Sequence, residues 1–191
     1  MLEHEWHDHY HLNGKHALLS PSNYAWLNYT DEKMKNRYIN NLKKDEGTYL
    51  HDLASRLIKT KKKLAPLKAA INQFVNDAIG FRMESEQLLY YSDNCFGTAD
   101  AIIFKDNLLR IHDLKTGVGP VSFKQLDIYA ALFCLEYNIN PKKIEIETRL
   151  YQGMSTEIDN PDPDSIRAVM DKIVFLDSVL NEAKVEKPGL F

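Results

Sequence analysis

Apolar and polar residues alternate with period two from Gly97 to Phe104, and again from Leu108 to Lys115. That period marks strands, because successive side chains of an extended chain point to opposite faces. Asp100, Ile102 and Phe104 share one face of the first run. Leu109, Ile111, Asp113 and Lys115 share one face of the second. Between them, Asp106-Asn107 suits a two-residue hairpin loop, since Asp and Asn tolerate the positive φ such loops require. The hairpin so predicted sets Asp100 opposite Asp113. Residues 81–92 alternate more weakly, through Met83, Glu84, Glu86, Leu88 and Tyr90. Lys143 to Tyr151 alternates through Ile144, Ile146, Thr148 and Leu150. Both stretches predict further strands.

The remaining stretches carry helical spacing. Ser20 caps and Pro21 opens a helix holding Tyr24, Trp26, Leu27 and Tyr29. Residues 31–44 predict a strongly charged helix, with a break near Asp45-Glu46-Gly47. From Thr48 to about Thr60, Leu50, Leu53, Ala54, Leu57 and Ile58 form one stripe, with His51 at its edge. Pro66 starts a helix ending at Gly80. Ser122 is the candidate cap of another, running to about Tyr137 and burying Phe123, Leu126, Ala130, Leu132, Phe133 and Leu135. After a turn at Asn160-Pro161-Asp162-Pro163, Asp164 or Ser165 caps a last apolar-striped helix. The fold class is α/β, a central mixed sheet flanked by helices with a helical N-terminal part. Residues 1–19 form a histidine-rich segment (His4, His7, His9, His11, His16), 20–183 one domain, and 184–191 a loose tail.

Composition changes this picture little. At 191 residues with a net charge of −3, the chain does not announce nucleic acid by its overall charge, so any polyanion site must be local. Lys59, Lys61, Lys62, Lys63 and Lys68 are the densest basic run, either a solvated helix end or a set of phosphate contacts. No apolar run is long enough to span a bilayer, the start is polar, and the two cysteines Cys95 and Cys134 suit a reducing cytoplasm.

The chemistry lies in the hairpin. Carboxylates directly across a sheet repel, by roughly 3 kcal/mol at about 5 Å and an effective dielectric near 20. A divalent cation offsets that repulsion, and carboxylate oxygens suit Mg²⁺ or Mn²⁺. Lys115 lies one alternation beyond Asp113, where a lysine can bind a phosphate oxygen or steer an attacking water. The combination points to metal-assisted phosphodiester hydrolysis.

Four motifs carry a resemblance: Gly47-Thr48-Tyr49-Leu50-His51, Gly97-Thr98-Ala99-Asp100, Asp113-Leu114-Lys115-Thr116-Gly117 and Gln125-Leu126-Asp127-Ile128-Tyr129. Their order resembles the PD-(D/E)XK nuclease superfamily, and within it the RecB-like exonuclease group, over about residues 20–152. The resemblance implies a restriction-endonuclease-like core and a metal-dependent DNase. It implies Asp100, Asp113, His51 and the Leu114 carbonyl as metal ligands and Lys115 as catalytic. Glu86, with Glu84 as second choice, acts from outside the ligand set. Gln125 and Tyr129 face the substrate, and Lys124 adds a phosphate contact. Gln152 ends a strand that could face the site. The implied cofactor is Mg²⁺ or Mn²⁺, and two cysteines cannot supply the four ligands of the iron–sulfur cluster some of these nucleases carry. The implied partner is DNA, with a recombination or single-strand-binding protein beside it, in a bacterial or phage-infected cytoplasm. A site-specific endonuclease and a non-catalytic binding module on the same fold remain the alternatives.

Overall fold

The computed structural model describes residues 17–186. The histidine-rich positions up to His16 and the last five residues lie outside that range. The chain divides into two compact units, Met1–Glu46 and Gly47–Phe191. In the first, a 3₁₀ helix (Pro21–Asn28) is anchored by Trp26 Nε1, which donates to the Ser20 carbonyl at 2.9 Å. Lys33 and Arg37, on helix α1 (Asp31–Lys59), lie over the Tyr29 ring.

The second unit is built on a five-stranded sheet in the order β1-β2-β3-β4-β5. The strands are β1 (Glu84–Ser92), β2 (Cys95–Lys105), β3 (Leu108–Lys115), β4 (Glu145–Gln152) and β5 (Ser155–Asp159). Among the described strands only β3 and β4 pair in parallel. Their crossover is helix α3 (Lys124–Glu136), since parallel neighbours cannot be joined by a tight turn. The β2–β3 loop is Asp106-Asn107, with φ of 54° and 60° as the primed hairpin turn needs. One sheet face, through Leu109, Ile111 and Ile102, packs on α3 and on α4 (Pro163–Glu186). The other, through Ala101, Leu114 and Tyr151, packs on α2 (Ala70–Phe81) and on Ala54 and Ile58 of α1. The α/β class and the mixed sheet flanked by helices are therefore as expected. No helix among the described residues is long and apolar enough to cross a membrane.

Several boundaries differ from the pattern reading. The break at Asp45-Glu46-Gly47 does not occur, and α1 runs through it. Gly47 marks a close approach instead of a stop: a Cβ there would lie 2.8 Å from Thr116 Oγ1. Helix α2 starts at Ala70, not Pro66, and runs past Gly80 to a left-handed Arg82. Ser122 sits one residue before the α3 cap position, its hydroxyl accepting from Lys124 N–H. Asp162, and neither Asp164 nor Ser165, caps α4, accepting from both of their amides. Helix α4 continues to Glu186, beyond the expected end of order at 183. Strand β5 was not predicted, because Ser-Thr-Glu-Ile-Asp offers one apolar side chain; the turn at Gly153 (φ 60°) folds it back on β4.

On the α2 side of the sheet, His112 is fully buried. Its Nδ1 lies 3.1 Å from Tyr151 Oη, which donates to Asp77 at 2.8 Å. Arg149 donates to Asp77 and Glu147, Arg110 also donates to Glu147, and the two guanidinium groups flank the Phe81 ring. Burial, then Arg149 and Arg110, push the His112 pKa down to about 3. Native His112 therefore stays neutral where the unfolded histidine, near pH 6.5, takes a proton. Its contribution is fully present above pH 6.5 and is lost as pH falls toward 3.

Urea unfolding at pH 6.5 and 5 should show that loss. It should be larger in wild type than in His112→Gln by about 2 kcal/mol; equal losses would refute a buried neutral His112. For Gly47, Gly47→Ala should lower stability by about 1 kcal/mol against intact Thr116. In a Thr116→Ala background the same change should raise it, leaving only the helix-propensity gain. The same sign in both backgrounds would remove Thr116 as the cause.

Candidate metal centre

Three acids stand at one level of three neighbouring strands. The β2–β3 register runs Lys105↔Leu108 to Ala101↔His112, so Asp100 is next opposite Asp113. The β1–β2 register pairs Ser85 with Ala101 and Gln87 with Ala99, so Glu86 faces Asp100 on its other side. The ladder skips Glu86, whose φ is 54° in mid-strand. Side-chain alternation slips at the same level: Ala99 packs in the α3–α4 core, while Ala101, two residues on, packs in the α2 core. A left-handed glutamate on a strand is uncommon and sterically unfavourable. Such local distortion is found next to functional sites, where it re-aims a side chain.

His51 reaches this row from α1, its Nδ1 3.4 Å from Asp100 Oδ2. The same oxygen accepts the Leu114 amide at 2.9 Å, in place of a ladder bond. His51, Glu86 and Asp100 each offer one ligand atom within 4.8 Å of the other two. Asp113 stands outside that trio. It is 3% exposed and held by Lys115, whose Nζ lies 2.9 Å from Oδ2 and 3.1 Å from Oδ1. Hydrogen-bond geometry is met only at Oδ1, leaving Oδ2 buried without a donor. The tight set thus holds Glu86, which sequence placed outside the ligands. Leu114 meets the site through its amide; no contact defines a role for its carbonyl. Glu84 is one residue before Ser85 and outside the trio.

The electrostatics fit a divalent cation. Burial, then Asp100, raise the Glu86 pKa. Burial, then Asp100, also raise that of Asp113, against the pull of Lys115. The contact with Asp100 raises His51, with Asp113 and Glu86 adding to it. Carboxylates that resist ionising beside an imidazole that holds its proton describe a negative pocket short of positive charge. One imidazole nitrogen and carboxylate oxygens suit Mn²⁺ or Mg²⁺, the nitrogen favouring Mn²⁺.

Lys115 is fixed from α3. Its Nζ donates to Gln125 Oε1 at 2.6 Å, Gln125 Nε2 donates to Tyr129 Oη at 3.4 Å, and Tyr129 donates to the Thr98 carbonyl at 2.6 Å. Gly97 gives the Tyr129 ring its seat, since a Cβ there would lie 3.1 Å from Cε1. Gln125 and Tyr129 therefore position the lysine as well as facing the site. Thr98, through its carbonyl, and Thr116, beside Gly47, are parts of this frame that sequence reasoning missed; only the glycines preceding the motifs hint at them. Gln152, paired with Lys115 in register, donates to the Gly117 and Gly119 carbonyls and pins the loop that follows the lysine. That loop, Lys115, Gln125 and Gln152 line a cavity of about 500 Å³. Lys124 is exposed on the first turn of α3, with no side-chain hydrogen bond or ion pair among the described residues.

A family model described as a protein of unknown function, DUF2800, matches residues 82–152. That span runs from the residue closing α2 to the end of β4, and contains Glu86, Asp100, Asp113 and Lys115. No curated protein and no solved structure matches the chain.

Metal binding must compete with protons at His51, whose pKa is raised. Calorimetric Mn²⁺ titration should show proton release and an affinity that falls as pH drops through the raised His51 pKa. His51→Ala should weaken binding and flatten that dependence. A pH-independent affinity in wild type would remove His51 from the ligand set.

Proposed function

We propose that the chain is a metal-dependent deoxyribonuclease of PD-(D/E)XK type, acting as an exonuclease. The observation that carries this reading is the row Glu86–Asp100–Asp113 with His51 at one side and a fixed lysine at the other. A structural salt bridge needs one acid for Lys115, whereas this site assembles three acids in one row, with Asp113 buried, Asp100 half-buried and Glu86 open to solvent. A bound Mg²⁺ or Mn²⁺ would supply polarisation of a phosphate oxygen and a water of lowered pKa. His51, Glu86 and Asp100 would hold the ion, with Asp113 beside them.

The chain's own groups do the rest. Asp113 and Gln125 hold the Lys115 ammonium on two sides, so its charge is aimed before substrate arrives. A preset cation stabilises charge developing on a phosphoryl oxygen without reorganising. Gln125 and Tyr129 fix the height of that lysine above β2. The loop held by Gln152 borders the cavity where the scissile strand would lie. The biological setting that goes with this reading is DNA recombination, repair or replication in a bacterial or phage-infected cytoplasm.

The test is digestion of end-labelled linear DNA beside circular DNA, with Mn²⁺, Mg²⁺ or EDTA. Wild type should degrade the linear form only with metal, and the circle should survive. Lys115→Ala should lower the rate by about 10²–10³-fold at a temperature where thermal unfolding shows the variant still folded. A cut circle would replace the exonuclease with an endonuclease; full activity in Lys115→Ala, or none in wild type, would overturn the enzyme reading.

A further inference from the structure

Helices α1, α2 and α3 close in the same way. In each, the chain reverses through a left-handed residue: Lys61 (φ 55°), Arg82 (φ 60°) and Asn138 (φ 52°). The paired backbone bonds of a Schellman closure are present each time: Lys61 to Ile58 and Lys62 to Leu57, Arg82 to Ile79 and Met83 to Ala78, Asn138 to Leu135 and Ile139 to Cys134. Glycine adopts this conformation without steric cost, and asparagine tolerates it best of the rest. Asn138 obeys that rule. Lys61 and Arg82 do not, and the two cations lie on one strip of surface.

Arg82 belongs to two cavities at once. One, of about 340 Å³, also holds Lys59 and Lys61. The other, of about 690 Å³, also holds Lys105 and Lys143. Lys59, Lys61, Arg82 and Lys143 make no ion pair among the described residues. Glu84, Asp106 and Glu145 share the two cavities, and Lys105 lies 3.9 Å from Asp106, so the cations outnumber the acids without excluding them. The strip begins at the acidic row, where Lys59 is close enough to Glu86 to favour its charged form. It ends beyond Lys105, five residues from Asp100 along β2, or about 17 Å at 3.3 Å per residue.

We infer that Lys59, Lys61, Arg82 and Lys143 form a track for the phosphodiester backbone of DNA, leading away from the carboxylate row along the α2 end of the sheet. This rests on the nuclease reading and adds to it the direction in which the substrate lies. A helix C-terminus alone favours a cation, but it does not account for a Lys and an Arg where glycine fits better, aligned on one strip that starts at the site. Contacts from lysine and arginine to phosphates carry no sequence information, so the track reads phosphate spacing and not sequence.

The experiment is binding of a short fluorescein-labelled DNA duplex in EDTA, where no cleavage occurs, across about 50–200 mM salt. Wild type is compared with Lys61→Gly/Arg82→Gly and with Lys61→Arg/Arg82→Lys. The glycine pair should bind about tenfold more weakly at low salt, and its log–log salt slope should fall by about 1.8, two phosphate contacts at ~0.9 each. Its thermal unfolding midpoint should hold or rise, because glycine relieves the left-handed strain. The charge-keeping pair should bind as wild type does. Unchanged affinity and slope in the glycine pair, or equal loss in both pairs, would overturn the track. If wild type still cleaves linear DNA with Mn²⁺ in that event, the nuclease reading stands without it; if wild type neither binds nor cleaves, both fall.

Discussion

Like charges forced into one row are the constraint on which this site depends. The hairpin at Asp106-Asn107 fixes the β2–β3 register, and that register leaves Asp100 and Asp113 facing each other. The β1–β2 pairing then adds Glu86 on the far side. Each contact around the row reads as a response to the crowding. The Leu114 amide and His51 share one Asp100 oxygen, and Lys115 straddles Asp113. Glu86 leaves the ladder with a left-handed backbone. None of these removes the excess of negative charge, which is why burial and Asp100 raise the pKa of both Glu86 and Asp113.

The two sheet faces divide the work. On the α3 side, a relay from Lys115 through Gln125 and Tyr129 to the Thr98 carbonyl ties the helix to the motif strand. On the α2 side, the acids Asp77 and Glu147 balance Arg149 and Arg110 around a neutral His112. The first set is partly open and aimed at the row. The second pairs both arginines with acids, so its charges are compensated, and it leaves His112 Nε2 as its buried atom without a partner. Two networks of similar residue types thus differ in what they leave unsatisfied.

Much of this was legible in the chain because period-two alternation is a strong signal where one face is buried. It gave β2, β3, their loop and the facing aspartates. The same rule could not find β5, a five-residue edge strand with one apolar side chain. It misread Gly47 as a stop because composition does not distinguish a glycine that ends a helix from one that makes room for Thr116. Glu86 was ranked outside the ligand set because no pattern reveals a left-handed φ within a strand. Lys61 and Arg82 were invisible for the same reason: left-handed caps are sought at glycine and asparagine, and these are neither.

The kink at Glu86 has an effect outside chemistry. Strand β1 lies at the margin of the described sheet, where the Tyr90 amide donates to Glu136 of α3 at 2.9 Å. An unbroken nine-residue edge of that kind invites another chain to pair with it. A left-handed residue at its third position turns the neighbouring peptide groups out of line, and a foreign strand cannot keep register across it. The distortion that carries a carboxylate into the site therefore also guards the molecule against edge-to-edge self-association.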